Sequence, residues 1–264
     1  MSEIIAVANH KGGVGKTTTA VNLAAALALN DKRVLIIDAD SQANATTSLG
    51  FYKGKYQFNI YNALIGSKKI EDIIIDTNIP NLKLAPSDIT LIGFEKEIIQ
   101  KSVPNPESVL KRLLEPISDS FDFIIIDSPP TLGLITINIL TASKSVIIPI
   151  QCEFFALEGL AQLLNTIKLV RKTLNSKLSV KGLLPTMYSA KNNLSRQVLN
   201  DLMEHFKEHL FQNGIDTKNI IIIPRNIRLA EAPSFGKPCI LYDPKSIGSK
   251  SYKELAKVLI ESVR

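Results

Sequence analysis

Short apolar runs separated by longer helical patterns predict an α/β fold, a doubly wound and mostly parallel sheet flanked by helices. Three observations carry this expectation. Runs rich in β-branched residues recur along the 264-residue chain. Several of them are continuously apolar, as strands buried on both faces must be. Segments with helical periodicity separate them, and this order feeds parallel pairing through right-handed crossovers.

The expected strands are Ile4–Ala8, Arg33–Asp38, Leu82–Ala85, Phe121–Asp127, Ser145–Ile150, Leu178–Leu184 and Asn219–Pro224. The expected helices are Lys16–Leu29, Pro106–Glu115, Leu134–Ala142, Ala156–Leu174, Leu194–Gln212 and Ile247–Val263. Periodicity is weakest over Phe51–Asn105. No repeat, low-complexity tract or Pro/Gly-rich linker interrupts the chain, so residues 1–264 are expected to form one domain. Ligands of such sheets usually bind at the carboxyl edge of the strands.

Composition is that of an ordinary folded protein, with 45% hydrophobic and 21% charged residues, which argues against extensive disorder. Net charge is +6. The last 48 residues hold nine Lys/Arg (Lys218, Arg225, Arg228, Lys237, Lys245, Lys250, Lys253, Lys257 and Arg264) against four Asp/Glu. Such asymmetry suggests a polyanionic partner. Cys152 and Cys239 have no CxxC spacing and read as free thiols in a reducing compartment. The chain opens directly on a strand-like run with no basic leader. No apolar run approaches the roughly 18–20 residues that span a bilayer. A cytoplasmic protein is expected.

Between the first strand and the first helix lies His-Lys-Gly-Gly-Val-Gly-Lys-Thr-Thr, residues 10–18. Gly12, Gly13 and Gly15 let the backbone around Val14 turn tightly, so that successive N–H groups point at phosphate oxygens. The helix starting near Lys16 adds its positive dipole end. Lys16 is placed for the β- and γ-phosphates, Thr17 for Mg²⁺, and Thr18 follows in the same turn. Strand before and helix after are the context such a loop needs, so ATP binding is expected. Where a generic phosphate loop begins with Gly, this one has His10, followed by an additional lysine, Lys11. That long cation either stays solvated or reaches a phosphate held by a second subunit.

Two apolar strands end in acid. Arg33–Asp38 leads into Ala39-Asp40-Ser41-Gln42-Ala43-Asn44, and Phe121–Asp127 into Ser128-Pro129-Pro130. A carboxylate at a strand tip beside a phosphate loop suits Mg²⁺ and its waters, and Asp127 fits this best. Asp38 and Asp40 share a face if the segment is extended, one able to orient water and the other to brace the loop. A strand-end Asp can also be a helix N-cap or turn residue.

Lys11–Thr18 (KGGVGKTT), Asp38–Thr46 (DADSQANAT), Asp127–Pro130 (DSPP) and Ile223–Pro233 (IPRNIRLAEAP), followed by Gly236-Lys237-Pro238, resemble the ParA/Soj family of chromosome- and plasmid-partitioning ATPases. The resemblance runs nearly end to end. It implies a P-loop NTPase of the deviant Walker A class, in which two subunits sandwich two ATP molecules and Lys11 crosses to the other subunit's phosphates. It assigns hydrolysis to Asp40, Mg²⁺ binding to Thr17 and Asp127, and the adenine to Pro224 and Asn226. It further implies an ATP-bound homodimer that holds double-stranded DNA without sequence preference on the nucleoid, and a ParB/Spo0J-type centromere-binding partner that stimulates hydrolysis. The family often has Pro and Gly where this chain has Ser41 and Ala43, which bears on the shape of that loop.

Candidate DNA contacts are Lys191, Arg196, Arg225, Arg228, Lys245 and Lys250. Sparse aromatic interleaving suits duplex backbone contact better than single-strand stacking. Solvated helix faces are the plainer explanation of the same charges. The last helix bears a stripe of Tyr252, Leu255, Ala256, Leu259 and Val263. It either packs on the sheet or, as in the related regulator MinD, lies on a membrane surface. Packing is the expectation, with no membrane partner.

Overall fold

A computed structural model describes residues 2–154, 156–213 and 220–263. The strands are β1 (Glu3–Val7), β2 (Val34–Asp38), β3 (Ile75–Asp76), β4 (Leu82–Ala85), β5 (Phe123–Asp127), β6 (Ser145–Gln151) and β7 (Ser179–Thr186). The helices are α1 (Lys16–Ala28), α2 (Asn44–Ser48), α3 (Ile60–Leu64), α4 (Phe94–Gln100), α5 (Val109–Leu114), α6 (Leu134–Ala142), α7 (Ala156–Thr173), α8 (Asn193–Phe206), α9 (Ile227–Glu231), α10 (Cys239–Tyr242) and α11 (Ile247–Ser262).

The seven strands form one sheet in the order β3-β4-β2-β5-β1-β6-β7. All neighbours pair in parallel except the short edge pair β3–β4. β5 lies between β1 and β2, so the carboxyl ends of these three strands converge on the glycine loop. Alternate residues serve opposite faces. Ala6, Leu35, Ile37, Ile124 and Ile126 join a core with α3 to α8. Ile5, Val7, Val34, Ile36, Phe123 and Ile125 join one with α1, α10 and α11. Continuous apolar runs are the signature of strands sandwiched in this way.

Helix α1 is buried nearly all round, and its alanines 20, 24, 25, 26 and 28 are at most 1% exposed. Small side chains there let α11 pack closely on the other side. Tyr252, Leu255, Ala256 and Leu259 of the α11 stripe are buried in that contact, and only Val263 is exposed. The Tyr252 hydroxyl meets Thr19 Oγ1 of α1 at 3.1 Å. Among the described residues, no helix is long and apolar enough to cross a membrane.

Three expectations change. Asn219–Pro224 is not a strand: over its described residues, 220–224, it makes only single bridges, Ile220 to Gln212 and Pro224 to Tyr188. The apolar residues Ile221 and Ile223 are buried there as packing against the sheet flank. The helix expected over Leu194–Gln212 ends earlier, with α8 giving way to a 3₁₀ turn, Lys207–His209. Pro106–Glu115 begins with another such turn, Pro106–Ser108, before α5.

Candidate active site

The glycine loop joins β1 to α1. Gly13 and Gly15 have φ of 75° and 87°, a left-handed conformation that side chains disfavour. Gly15 occupies the N-cap position of α1 with no side-chain cap, so the first-turn N–H groups have no partner within the helix. The loop is pinned from both sides. Asn9 Nδ2 donates to the Pro149 carbonyl at 2.7 Å, and Asn9 Oδ1 accepts from Lys11 N at 3.1 Å. Thr186 Oγ1, at the end of β7, donates to the Val14 carbonyl at 2.9 Å. Neither Asn9 nor Thr186 stands out in the sequence, because the Pro149 and Val14 carbonyls to which they donate lie far along the chain.

Lys16 is 7% exposed, and its ammonium donates to the Lys11 carbonyl at 2.9 Å. Burial lowers its pKa, while the nearby Asp127 and Asp40 carboxylates pull it back up. Lys11 lies at the rim of the loop, its ammonium 3.7 Å from Glu153 Oε2, with both side chains partly exposed.

The strand-end acids occupy a single line. Parallel register places Val7 opposite Asp127, and Asp127 opposite Asp38. Asp127 is fully buried, and neither carboxylate oxygen has a hydrogen-bond partner. Burial raises its pKa well above the ordinary carboxylate range; Asp38 and Asp40 add to this, and the neighbouring Thr17 and Lys16 oppose it. An orphaned buried carboxylate beside a threonine hydroxyl fits an oxygen-ligated cation such as Mg²⁺, which keeps several waters and needs few protein ligands. Among the described residues, no group of three or more His, Cys, Asp or Glu forms a metal cage.

Asp38 is satisfied instead. It accepts Asp40 N at 3.1 Å, Thr46 N at 2.8 Å and Thr46 Oγ1 at 2.7 Å. It therefore braces the loop that carries Asp40. Burial raises its pKa to about 6, and the three donors oppose that rise. Protonation is thus easier in the folded chain than in the unfolded one. The stability this group contributes is fully present below about pH 4 and is lost as pH rises through about 6. Wild type should lose stability relative to Asp38→Asn between pH 5 and 7, by on the order of 1 kcal/mol. Thermal melts of the two proteins at both pH values measure this, and parallel pH profiles would refute it.

Asp40 is 8% exposed, and its Oδ1 accepts Gln42 N at 2.9 Å. Ala43 takes the left-handed conformation at φ 53°, which a glycine would adopt without penalty. The loop therefore keeps the turn that Gly would allow and bears the strain of a methyl group. Relief of that strain, offset by the greater freedom of Gly in the unfolded chain, should make Ala43→Gly about 0.5 kcal/mol more stable. A lower melting temperature in that variant would contradict the assignment of strain.

A cavity of about 240 Å³ opens beside the loop, lined among others by Gly15, Thr18, Thr186, Pro224, Asn226 and Tyr252. Pro224 and Asn226 thus lie next to the phosphate loop despite some 200 intervening residues. A larger cavity of about 550 Å³, around Lys181, Lys207 and Phe211, has no glycine loop and takes no part in this site.

The six basic candidates are all exposed. Lys191 precedes α8, and Arg196 lies in its first turn. Arg225 N donates to the Tyr188 carbonyl at 2.9 Å, close in sequence to Lys191. Arg228 pairs with Glu231 at 2.9 Å and Asp243 at 3.4 Å, and Lys245 N donates to Asp243 Oδ1. Lys250 follows in the first turn of α11. Arg228 and Lys245 thus meet at Asp243, but the charge of Arg228 is already shared with two carboxylates.

Residues 2–180 match the AAA domain family. The sporulation initiation inhibitor protein Soj of Bacillus subtilis is 49% identical over 257 residues, 97% of this chain and 98% of that protein. The chromosome partitioning protein ParA of Myxococcus xanthus is 44% identical, with 99% and 89% covered. A crystal structure of cobyrinic acid a,c-diamide synthase from Mycobacterium smegmatis, with bound ADP and magnesium, has a TM-score of 0.83 at 35% identity, covering 100% of this chain and 97% of that one. Fold and loop together define a P-loop ATPase. Within that class, the chain belongs to the Soj/ParA family of chromosome-partitioning ATPases.

Proposed function

We propose that residues 1–264 act as one ATP-driven switch in DNA segregation. The orphaned Asp127 carboxylate beside Lys16 and the glycine loop carries this reading. Gly12, Gly13, Val14, Gly15, Lys16, Thr17 and Thr18 hold the triphosphate through backbone N–H groups, the ammonium and the helix dipole. Thr17 and Asp127 would hold Mg²⁺, which would supply charge neutralisation at the phosphates. Pro224 and Asn226 border the adenine. Asp40 orients the attacking water for hydrolysis to ADP and phosphate.

ATP closes a homodimer in which Lys11 reaches the partner's phosphates. Exchanging its exposed pair with Glu153 for a phosphate costs little, because surface ion pairs contribute roughly 0–1 kcal/mol. The closed dimer holds duplex DNA on the nucleoid without sequence preference, and hydrolysis, stimulated by a ParB/Spo0J-type partner, releases it. The buried α11 stripe leaves a MinD-like membrane role without its apolar face.

Sedimentation with and without non-hydrolysable ATP and duplex DNA tests the switch. ATP-dependent dimerisation and DNA co-sedimentation are expected, and a chain that stays monomeric would refute it. Arg225→Glu combined with Lys250→Glu should lower DNA retention at least about tenfold and flatten its salt slope, with dimerisation unchanged. Arg228→Glu is a weaker probe, since it also breaks two internal ion pairs.

A further inference from the structure

No step above uses the hydroxyl of Thr46, although its surroundings are fully specified. Thr46 lies in α2 and is 0% exposed. Its Oγ1 donates to Asp38 Oδ2 at 2.7 Å and accepts Ser87 N at 3.0 Å. Its own N–H donates to the same Asp38 oxygen at 2.8 Å. Beyond Ser87, whose carbonyl accepts Tyr56 Oη at 2.7 Å, the network reaches the segment before α3. One hydroxyl thus ties together the tip of β2, the first turn of α2 and the loop after β4.

Asp40 sits inside the segment so closed. Its N–H is held by Asp38, its carboxylate by Gln42 N, and the following turn passes through the left-handed Ala43. A strained turn persists only where its surroundings over-determine it. The Asp40 carboxylate is also near enough to Lys16 to raise the pKa of that ammonium. Small displacements of this segment therefore change the distance between Asp40 and the phosphate end of the site.

We propose that Thr46 is a positioning residue for hydrolysis: its hydroxyl clamps the Asp38–Thr46 segment so that Asp40 faces the site in one orientation. The proposal rests on Asp40 as the hydrolytic acid. Without the hydroxyl, Asp38 loses a donor and Ser87 N–H its acceptor, both in a dry setting. The loop that binds the phosphates is held by other contacts, through Asn9 and Thr186. The effect should therefore fall on turnover and spare nucleotide affinity, since misplacement of a reacting group by about 1 Å can cost up to about 100-fold.

Steady-state ATPase assays of Thr46→Val, Thr46→Ser and Asp40→Ala test it. Thr46→Val should lower kcat about tenfold and leave the KM for ATP within about twofold, and Thr46→Ser should return kcat to near wild type. Wild-type kcat in Thr46→Val, equal losses in both threonine variants, or a raised KM with unchanged kcat would each overturn the clamp. Asp40→Ala separates the two claims. Normal hydrolysis there defeats the assignment of Asp40, whereas an inactive Asp40→Ala beside a fully active Thr46→Val defeats only the clamp. Should Thr46→Val not fold, amide exchange in the wild type decides. Asp40 and Thr46 amides that open together support the clamp, and an Asp40 amide exchanging like free loop overturns it.

Discussion

Lys16→Ala should lose ATP binding by at least about 100-fold, or roughly 3 kcal/mol, in a titration with a fluorescent ATP analogue. Lys16 is the ammonium held at the centre of the site, buried to 7% exposure and fixed by the Lys11 carbonyl. Its pKa is lowered by burial and supported by Asp127 and Asp40, so it is a cation placed among carboxylates before any phosphate arrives. A phosphate replaces water at a charge that has already lost much of its solvation, and charge-assisted bonds are the strong ones. Alanine removes that bond and also leaves two acidic groups facing the triphosphate without a counter-charge. Unchanged affinity would end the assignment of residues 11–18 as the nucleotide loop.

Asp40→Ala should separate binding from turnover. We expect hydrolysis to fall about 10²–10⁴-fold, the usual contribution of a positioned acid–base group, with ATP affinity close to wild type. The reason is spatial: the phosphate-binding groups belong to the loop and α1, while Asp40 lies on the segment after β2. Its carboxylate accepts a local hydrogen bond from Gln42 N, two residues on, while its backbone bonds survive the substitution, so the loss should cost little stability. DNA retention in ATP should persist in this variant, because the step that ends it is missing. Phosphate release at the wild-type rate would refute the role.

Much of the central sheet is legible in the sequence. β1, β2 and β5 lie within two residues of the apolar runs that mark them, because strands buried on both faces cannot hide their composition. Of the 51–105 stretch only Leu82–Ala85 is legible, and it is β4. The others, α3, β3 and α4, run from two to seven residues, with 3₁₀ turns between them, too short for periodicity to emerge. Ile220–Pro224 misled for the opposite reason. It has a strand's apolar content, yet it spends that content on flank packing and ends in a proline that cannot donate to a ladder. In the site, the residue types and contexts of Lys16 and Asp127 are restrictive enough to place them beside the loop, where the structure has them. Asp38 was not, since bracing and water orientation call for the same carboxylate, and only its three donors tell them apart. Thr46 stood at the end of a motif with no role attached, its partners lying 8 and 41 positions away.

The pairing of Asp127 with Val7 on one side and Asp38 on the other has a consequence for how this chain can change. Deleting one residue within β5 would move the acid about 3.3 Å along the strand and turn it to the opposite face. Its neighbours would stay where they are, and the line of groups would be broken. The three central strands are therefore fixed in length as well as in composition. Gains and losses of residues belong in the exposed turn at Tyr52–Lys55, between β2 and β5 but paired with neither. Counting residues from a strand's start to its acid is thus a stricter test of shared chemistry than matching the residues themselves.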